Sequence, residues 1–592
     1  MMIILKNTKP FWQPMKGGKV NLHNYLLRSF LEKYGFGQFA TVKDRTSTKT
    51  LFHNDAGILK VHDQVTIKRW IREWLESVDD DAFDKDGMFD TATPQMDSCE
   101  KFDVLESWQK LNAGNLQRQV LDDLPVYSEE GFKDTETLNL FGDTRNSCHI
   151  RFRNGVVKVT KDKIELIDFS KVKTQGAVWE SSIIDRDIKI TKGEGAFAKF
   201  AAQSMLRKDR SITNKDWRKE YKPDDFSRAQ YRGMTTSYGY LIHSHNTQDV
   251  QKAIYYIDAD SDLGKPQGGN GKSVVMGSLK HYKKTSVQDG KRFRQNMDGG
   301  GRFQFADVTV DCKFILIDDI RPEFSFEMLF SMITGDMEVE GKGTNKFTIP
   351  ADRKPKFGLT TNYVIPGVGT SFKRRQHIVE FGNYWNRCNE EKESPSDKRH
   401  LGKLLFDDSF DENDWNDFYS YGFKCVQQYF NEGLVESPNN KYDLKATKAT
   451  VEGLDGDGTF TDWLDEWIKC DRIADELYKD DGISVKELYQ TFIRSNPLQH
   501  PDANGIWDER RFDQGLWDFI SAIEGYHYNK HLAKRGDTKS SRRWQRGSAG
   551  DQQNHIRMTT DFDMEWLSGK SETKTKPDDE FDYAGAFDNL AK

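Results

Sequence analysis

Three short, unbroken apolar runs, separated by helical stretches, set the strongest limit on how this chain can fold. They are AIYYI at 253–257, KFILI at 313–317 and KFGLTT at 356–361, with SVVMGSLKHY and FEMLFSMI between them. A strand that is apolar at every position is buried on both faces, which is the habit of parallel sheets covered by helices on each side. The pattern predicts an α/β domain over 231–400, built on a mostly parallel sheet.

The first run leads to GGNGKS, which opens a helical stretch. Phosphate oxygens need backbone N–H groups aimed at them, and glycines let the backbone come close. The sequence therefore predicts a phosphate-binding loop. Gly268, Gly269, Asn270 and Gly271 form its cradle, Lys272 supplies a point charge and the Ser273 hydroxyl ligates Mg²⁺. There is one departure: the full pattern has glycine where Pro266 stands, and the segment from Asp258 to Lys265 is long.

The second run ends in Asp318 and Asp319. One carboxylate at a strand tip beside the loop can hold Mg²⁺, and the next can orient or polarise the attacking water. The third run ends in Asn362, whose amide suits the terminal phosphate or that water. Arg374 and Arg375 follow in a short basic loop. An arginine there can reach a neighbouring subunit's nucleotide and stabilise charge as it develops. Asp258, Asp260 and Asp262 resemble the start of a calcium loop, but Leu263 and Gly269 stand where glycine and a bidentate glutamate are needed. A primase-type Asp-x-Asp is no simpler, because the same strand must feed the glycine loop. These acids read as a solvated loop.

The set GGNGKS, FILIDDI, GLTTN and SFKRR resembles superfamily 3 helicases, most closely the primase-helicase ATPases of phages, mobile elements and poxviruses. GRFQFADVTVDCKFILIDDIRPEFSFEMLFSMITGDMEVEGKG is similar to versions from phages and mobile elements of Bacteroidetes. The resemblance is specific over about 230–435 and weaker over about 35–200. It implies an AAA+ ATPase that forms a hexameric ring, uses ATP and Mg²⁺ and translocates on single-stranded DNA. By resemblance Lys272 and Ser273 are Walker A, Asp318 and Asp319 Walker B and Asn362 sensor 1, with Arg375 or Arg374 as arginine finger. It also implies a pore hairpin between Walker B and sensor 1. VEGKGTNKFTI fits this, with Lys342 and Lys346 tracking phosphates without reading sequence.

The flanking regions are less explicit. Residues 1–230 mix helical and strand patterns. Apolar residues at helical spacing predict a helix from Val65 to Val78, and IRFRNGVVKVTKDKIELI predicts a small antiparallel meander. No Asp-x-Asp with a following strand-borne histidine is found there, so the region reads as an α+β collar for oligomerisation or for admitting DNA. Residues 401–454 read as a helical connector. Residues 455–570 read as a winged-helix-like unit with three helices and a basic wing. In that wing Lys539, Arg542, Arg543 and Trp544 suit phosphate contacts and base stacking. Residues 571–592 read as an acidic, disordered tail that a replication partner could dock.

Composition excludes other classes. The chain has 592 residues and a formal net charge of -7. No stretch approaches the ~20 apolar residues of a membrane span, and the apolar start is too short for a signal peptide. Six cysteines without a Cys-x-x-Cys pair argue against a disulfide scaffold or zinc ribbon, and for a reduced cytoplasmic setting, which the resemblance implies is that of a bacterial host. The negative charge weighs against a protein that coats nucleic acid with its whole surface, but not against a local basic channel. The function expected is that of an ATP-dependent hexameric replicative helicase acting on single-stranded and forked DNA, with a primase, polymerase or single-strand-binding protein as possible partner. A bifunctional primase-helicase and a non-motor origin-binding initiator or loader remain open at this level.

Overall fold

The computed structural model describes residues 10–15, 19–41, 49–80, 99–132, 134–169, 171, 175–207, 223–258, 268–293, 303–321, 324–341, 346–363, 370–385, 404–437, 459–460, 463–464, 483–503, 505, 507–521, 526–528, 544–546 and 553–558. Its centre is a five-stranded, wholly parallel sheet. The strands are β1 (Ala253–Asp258), β2 (Thr285–Asp289), β3 (Phe314–Ile320), β4 (Lys356–Thr361) and β5 (Gln376–Phe381). Their order across the sheet is β2-β3-β4-β1-β5. The three apolar runs are thus the three central strands.

Alternation of side chains explains the unbroken apolar pattern. Ile254 and Tyr256 of β1, with Phe314 and Leu316 of β3, face one core. Tyr255 and Ile257, with Ile315 and Ile317, face another. Successive strand residues point to opposite faces, so a sheet covered on both sides needs an apolar residue at each step.

One cover is assembled from distant sequence. Helix α1 (Asp225–Ile242) and helix α4 (Glu412–Glu432), with the 148–206 segment, share the first core. Two shorter helices, α2 (Lys272–Gly277) and α3 (Thr370–Arg375), sit within the sheet's own connections. Phe197, Phe200, Tyr238, Phe418 and Phe423 all lie in that core. The boundary expected at 230 falls inside α1, and the expected connector 401–454 contributes α4 to the core. Sequence pattern marks where elements change type, not which elements share a core. The second cover is local, formed by 293–349. It includes the hairpin Met337–Val339 with Phe347–Ile349, the segment expected to carry Lys342 and Lys346.

The N-terminal part builds a six-stranded mixed sheet from strands between Phe36 and Trp179. Helix Gln64–Ser77 is close to the expected Val65–Val78 and buries Ile67, Ile71, Trp74 and Leu75. The meander is present as Cys148–Phe152, Gly155–Val159 and Ile164–Ile167, with its first turn at Arg153 and Asn154. This part is tied to the central domain by an Arg353–Glu129 ion pair of 2.7 Å and by Ser181 donating to Asp311. Near the C-terminus, helices Val485–Ser495 and Glu509–Ser521 accompany short antiparallel strands. Lys539, Arg542 and Arg543 and the acidic tail lie outside the described residues. Trp544 begins one of these strands. Cys99, Cys148, Cys312 and Cys425 are buried free thiols. Among the described residues, no helix is long and apolar enough to cross a membrane.

Helices α1 and α4 approach closely because α1 carries a glycine, Gly239, against the backbone of α4. A Cβ on Gly239 would lie 2.1 Å from the Cys425 carbonyl oxygen, a backbone atom that cannot swing away. Gly239→Val should therefore destabilise the folded chain by about 1–3 kcal/mol through overpacking, read as a lower midpoint in thermal denaturation.

Candidate nucleotide site

The glycine loop connects into α2 at the C-terminal end of β1. Gly269 and Gly271 have φ of 95° and 92°, in the left-handed region. Gly271 is needed twice over, since a Cβ there would also meet Ser204 Oγ at 2.7 Å and the Phe200 ring at 2.9 Å. The loop therefore rests on the 196–204 helix, a part of the chain far from it in sequence.

Lys272 is 5% exposed. Its ammonium donates to Asp258 Oδ1 in a short contact and to Asn362 Oδ1 at 2.9 Å. Asn270, also buried, donates its amide to the same Asp258 oxygen at 2.8 Å. Asp258 is the last residue of β1 and 2% exposed, so it is not the solvated loop acid expected from sequence. A buried carboxylate needs a counter-charge and hydrogen bonds, and Lys272 and Asn270 supply both. The clue available in sequence was its place directly on an apolar strand that must end beside the lysine.

Ser273 donates its hydroxyl to Asp318 Oδ1 at 2.7 Å, and Thr360 Oγ1 donates to the same oxygen. The acids do not end their strand as expected. β3 runs on to Ile320, with three steps from Ile317 to Ile320 opposite two on β4 from Leu359 to Thr361. This one-residue bulge puts Asp319 at φ 59°, unusual for a residue with a side chain. The Thr360 hydroxyl anchors the bulge by accepting from the Asp319 amide at 3.0 Å. Successive strand residues would point to opposite faces, whereas the bulge re-aims Asp319. Its Oδ2 meets the ammonium of Lys291, and this hydrogen bond raises the lysine's pKa. Lys291, in the turn after β2, had no sequence signal.

Two hydrogen-bonded sets, Lys272 with Asp258 and Asn362 and Ser273 with Asp318, thus lie side by side at the C-terminal ends of three adjacent strands. Arg374 and Arg375 are not part of either. They lie in a helix, α3, rather than a loop, immediately before β5. The register pairs Gln376 with Ala253 and Phe381 with Asp258. The arginines therefore sit at the opposite end of the sheet, roughly 17 Å from the loop at about 3.3 Å per residue. Arg375 lies over the Phe330 ring, 4.6 Å from its centroid, and donates to the Ser371 carbonyl at 3.1 Å. Lys346 is exposed and pairs across its hairpin with Glu338 at 3.1 Å, while Lys342 lies outside the described residues.

The donor set can be tested for Mg²⁺ on its own chemistry. Among the described residues there is no group of three or more His, Cys, Asp or Glu side chains placed to cage a metal. Mg²⁺ does not need one, because it keeps several waters and takes one or two protein oxygens plus substrate phosphates. Ser273 Oγ and the Asp318 carboxylate, already in contact, fit that requirement.

No family model matches the chain, and no curated protein matches it. Solved structures that match include the apo A form of the NrS-1 C-terminal region. That structure is 10% identical with a TM-score of 0.34, and the match covers 90% of this chain and 99% of that one. A shorter form of the same region is 11% identical with a TM-score of 0.26, covering 70% and 96%. Both TM-scores are too low for the likeness to bear on activity.

The buried Asp258–Lys272 pair should show coupling without any ligand. Asp258→Ala leaves a buried ammonium without its carboxylate and should cost about 3–5 kcal/mol. The double variant Asp258→Ala with Lys272→Met should lose less than the sum of the two singles. Urea unfolding of the four proteins measures this, and additive losses would show the pair to be energetically idle.

Proposed function

We propose that the chain is an ATP-driven DNA helicase of superfamily 3 type, with an AAA+ P-loop ATPase core, acting in phage or mobile-element replication in the host cytoplasm. The observation that carries this reading is the convergence of Lys272, Ser273, Asp318 and Asn362 at one end of the parallel sheet. In open α/β sheets, ligands bind outside the carboxyl ends of the strands.

In this reading the loop amides and Lys272 hold the phosphates of ATP. Asp258 and Asn362 aim the lysine until the phosphates take over as its partners. Ser273 and Asp318 hold Mg²⁺, which supplies charge neutralisation as the terminal phosphoryl group transfers. Asp319 orients the attacking water, and Asn362, released from Lys272, hydrogen-bonds the terminal phosphate. The position of Arg374 and Arg375 supports a ring. They are too far from their own loop to serve it, so an arginine finger would act on the neighbouring subunit's ATP. A homo-hexamer is the assembly proposed, with Lys342 and Lys346 following single-stranded DNA in its pore and the C-terminal unit contacting the fork.

Two measurements test this. Wild type should hydrolyse ATP with DNA stimulation and separate a forked duplex, and Lys272→Ala should abolish both. If wild type does neither in any oligomeric state, the motor reading is wrong. Arg375→Ala and Lys272→Ala proteins, each inactive alone, should regain part of the ATPase when mixed, because mixed rings contain intact interfaces. No recovery with either Arg375→Ala or Arg374→Ala would remove the role across subunits.

A further inference from the structure

The end of the sheet opposite the glycine loop holds a second polar cavity, of about 600 Å³. It lies where the 140–182 segment meets the starts of β2, β3 and β4. Six basic side chains line it: Arg151, Lys158, Lys283, Lys284, Lys313 and Arg353. Four carboxylates accompany them, from Glu129, Asp143, Asp311 and Asp352. Lys313 immediately precedes β3, five residues before Asp318, so this cavity is roughly 16 Å from the nucleotide site at about 3.3 Å per residue.

The charges do not cancel locally. Lys284 is paired with Asp311 at 3.0 Å, and Arg353 with Glu129 at 2.7 Å and Asp352 at 3.6 Å. Among the described residues, Arg151, Lys158, Lys283 and Lys313 have no ion pair. Arg151 donates to the carbonyls of His149 and Phe141. Lys283 donates to the Leu241 carbonyl at 2.7 Å and to Ser244 Oγ at 2.9 Å, and Lys313 to the Arg353 carbonyl at 3.3 Å. The one remaining carboxylate, Asp143, is occupied by the backbone amides of His149 and Ser244, each at 2.7 Å. Four cations thus face one carboxylate that already accepts two amide hydrogen bonds.

Buried positive charge without a counter-charge is costly. Burial lowers Lys283 to about 8 and also lowers Lys313 and Arg151. The volume falls in the range of small-molecule sites, and Trp179, Phe141 and Tyr282 give it aromatic wall.

We propose that this cavity binds a small, multiply charged phosphate anion, of the size of a nucleoside phosphate, independently of the glycine loop. Arg151 and Lys158, both on the meander, reach the anion from one side, and Lys283 and Lys313 at the sheet edge from the other. An anion there would join the N-terminal region to the sheet by charge.

The test uses the full chain carrying Lys272→Ala, so that phosphate held by the glycine loop does not interfere. Inorganic pyrophosphate is titrated calorimetrically, and a thymidine oligonucleotide in parallel. Saturable pyrophosphate binding is expected, weakened about tenfold or more by loss of one charge-assisted contact in Lys158→Glu. Lys158 is only half-buried on its strand, so this variant keeps its fold. Arg151→Gln should weaken binding likewise, provided its melting midpoint is unchanged. Lys486→Glu, an exposed helix lysine elsewhere, should have no effect. Absence of saturable pyrophosphate binding overturns the proposal. Equal weakening by Lys486→Glu also overturns it, by reducing the effect to net charge. Oligonucleotide binding that depends on Lys158 without pyrophosphate binding overturns it in favour of a nucleic-acid contact.

Discussion

Everything in the molecule follows from burying both faces of one parallel sheet. The central strands β1, β3 and β4 have no face that tolerates water. One face is covered by residues close in sequence, the 293–349 segment. The other is covered by α1, α4 and the 148–206 segment, drawn from both sides of the sheet in sequence. This is why the N-terminal region and the former connector cannot be treated as appendages. Close packing of α1 on α4 at Gly239, and of the glycine loop on Phe200 and Ser204, makes the glycine-loop end of the sheet depend on distant chain.

The sheet is also polar along its strand axis, and charge is sorted by end. The C-terminal ends carry Asp258, Asp318 and Asp319 with one buried lysine among them. The N-terminal ends carry Lys283, Lys284, Lys313 and Lys356. Several of these lysines bond helix-terminal carbonyls: Lys356 takes that of Tyr240 and Lys283 that of Leu241, both in the last turn of α1. Cations near the C-terminal end of a helix complement its dipole and satisfy carbonyls left without intrahelical partners. Of these lysines, Lys283 and Lys313 join Arg151 and Lys158 in giving the second cavity its surplus of positive charge. A net charge of -7 for the whole chain therefore says little about either end.

Much of the fold was legible because local pattern suffices where a segment's environment is uniform. Unbroken apolar runs located β1 and β4 to within a residue and β3 short by three residues at its end, and helical spacing located Gln64–Ser77. The bulge in β3 was not legible: Asp318 and Asp319 look the same in sequence whether they end a strand or kink within it. The role of Asp258 was misread for a related reason. Its burial depends on Lys272 and Asn270 folding back over it from twelve or more residues away, and its place directly on an apolar strand is the one local sign of that.

By itself, the sequence determined which runs form buried strands, that a glycine loop follows the first of them, and which acids and amide lie near the ends of the others. These are local facts of hydrophobic pattern and backbone freedom. Only the tertiary structure decided that Lys272 is held between Asp258 and Asn362, and that Arg374 and Arg375 lie at the far end of the sheet from the loop. It also decided that a surplus of lysines gathers there. Those outcomes depend on strand order and register, which are set by how the two cores close over the sheet.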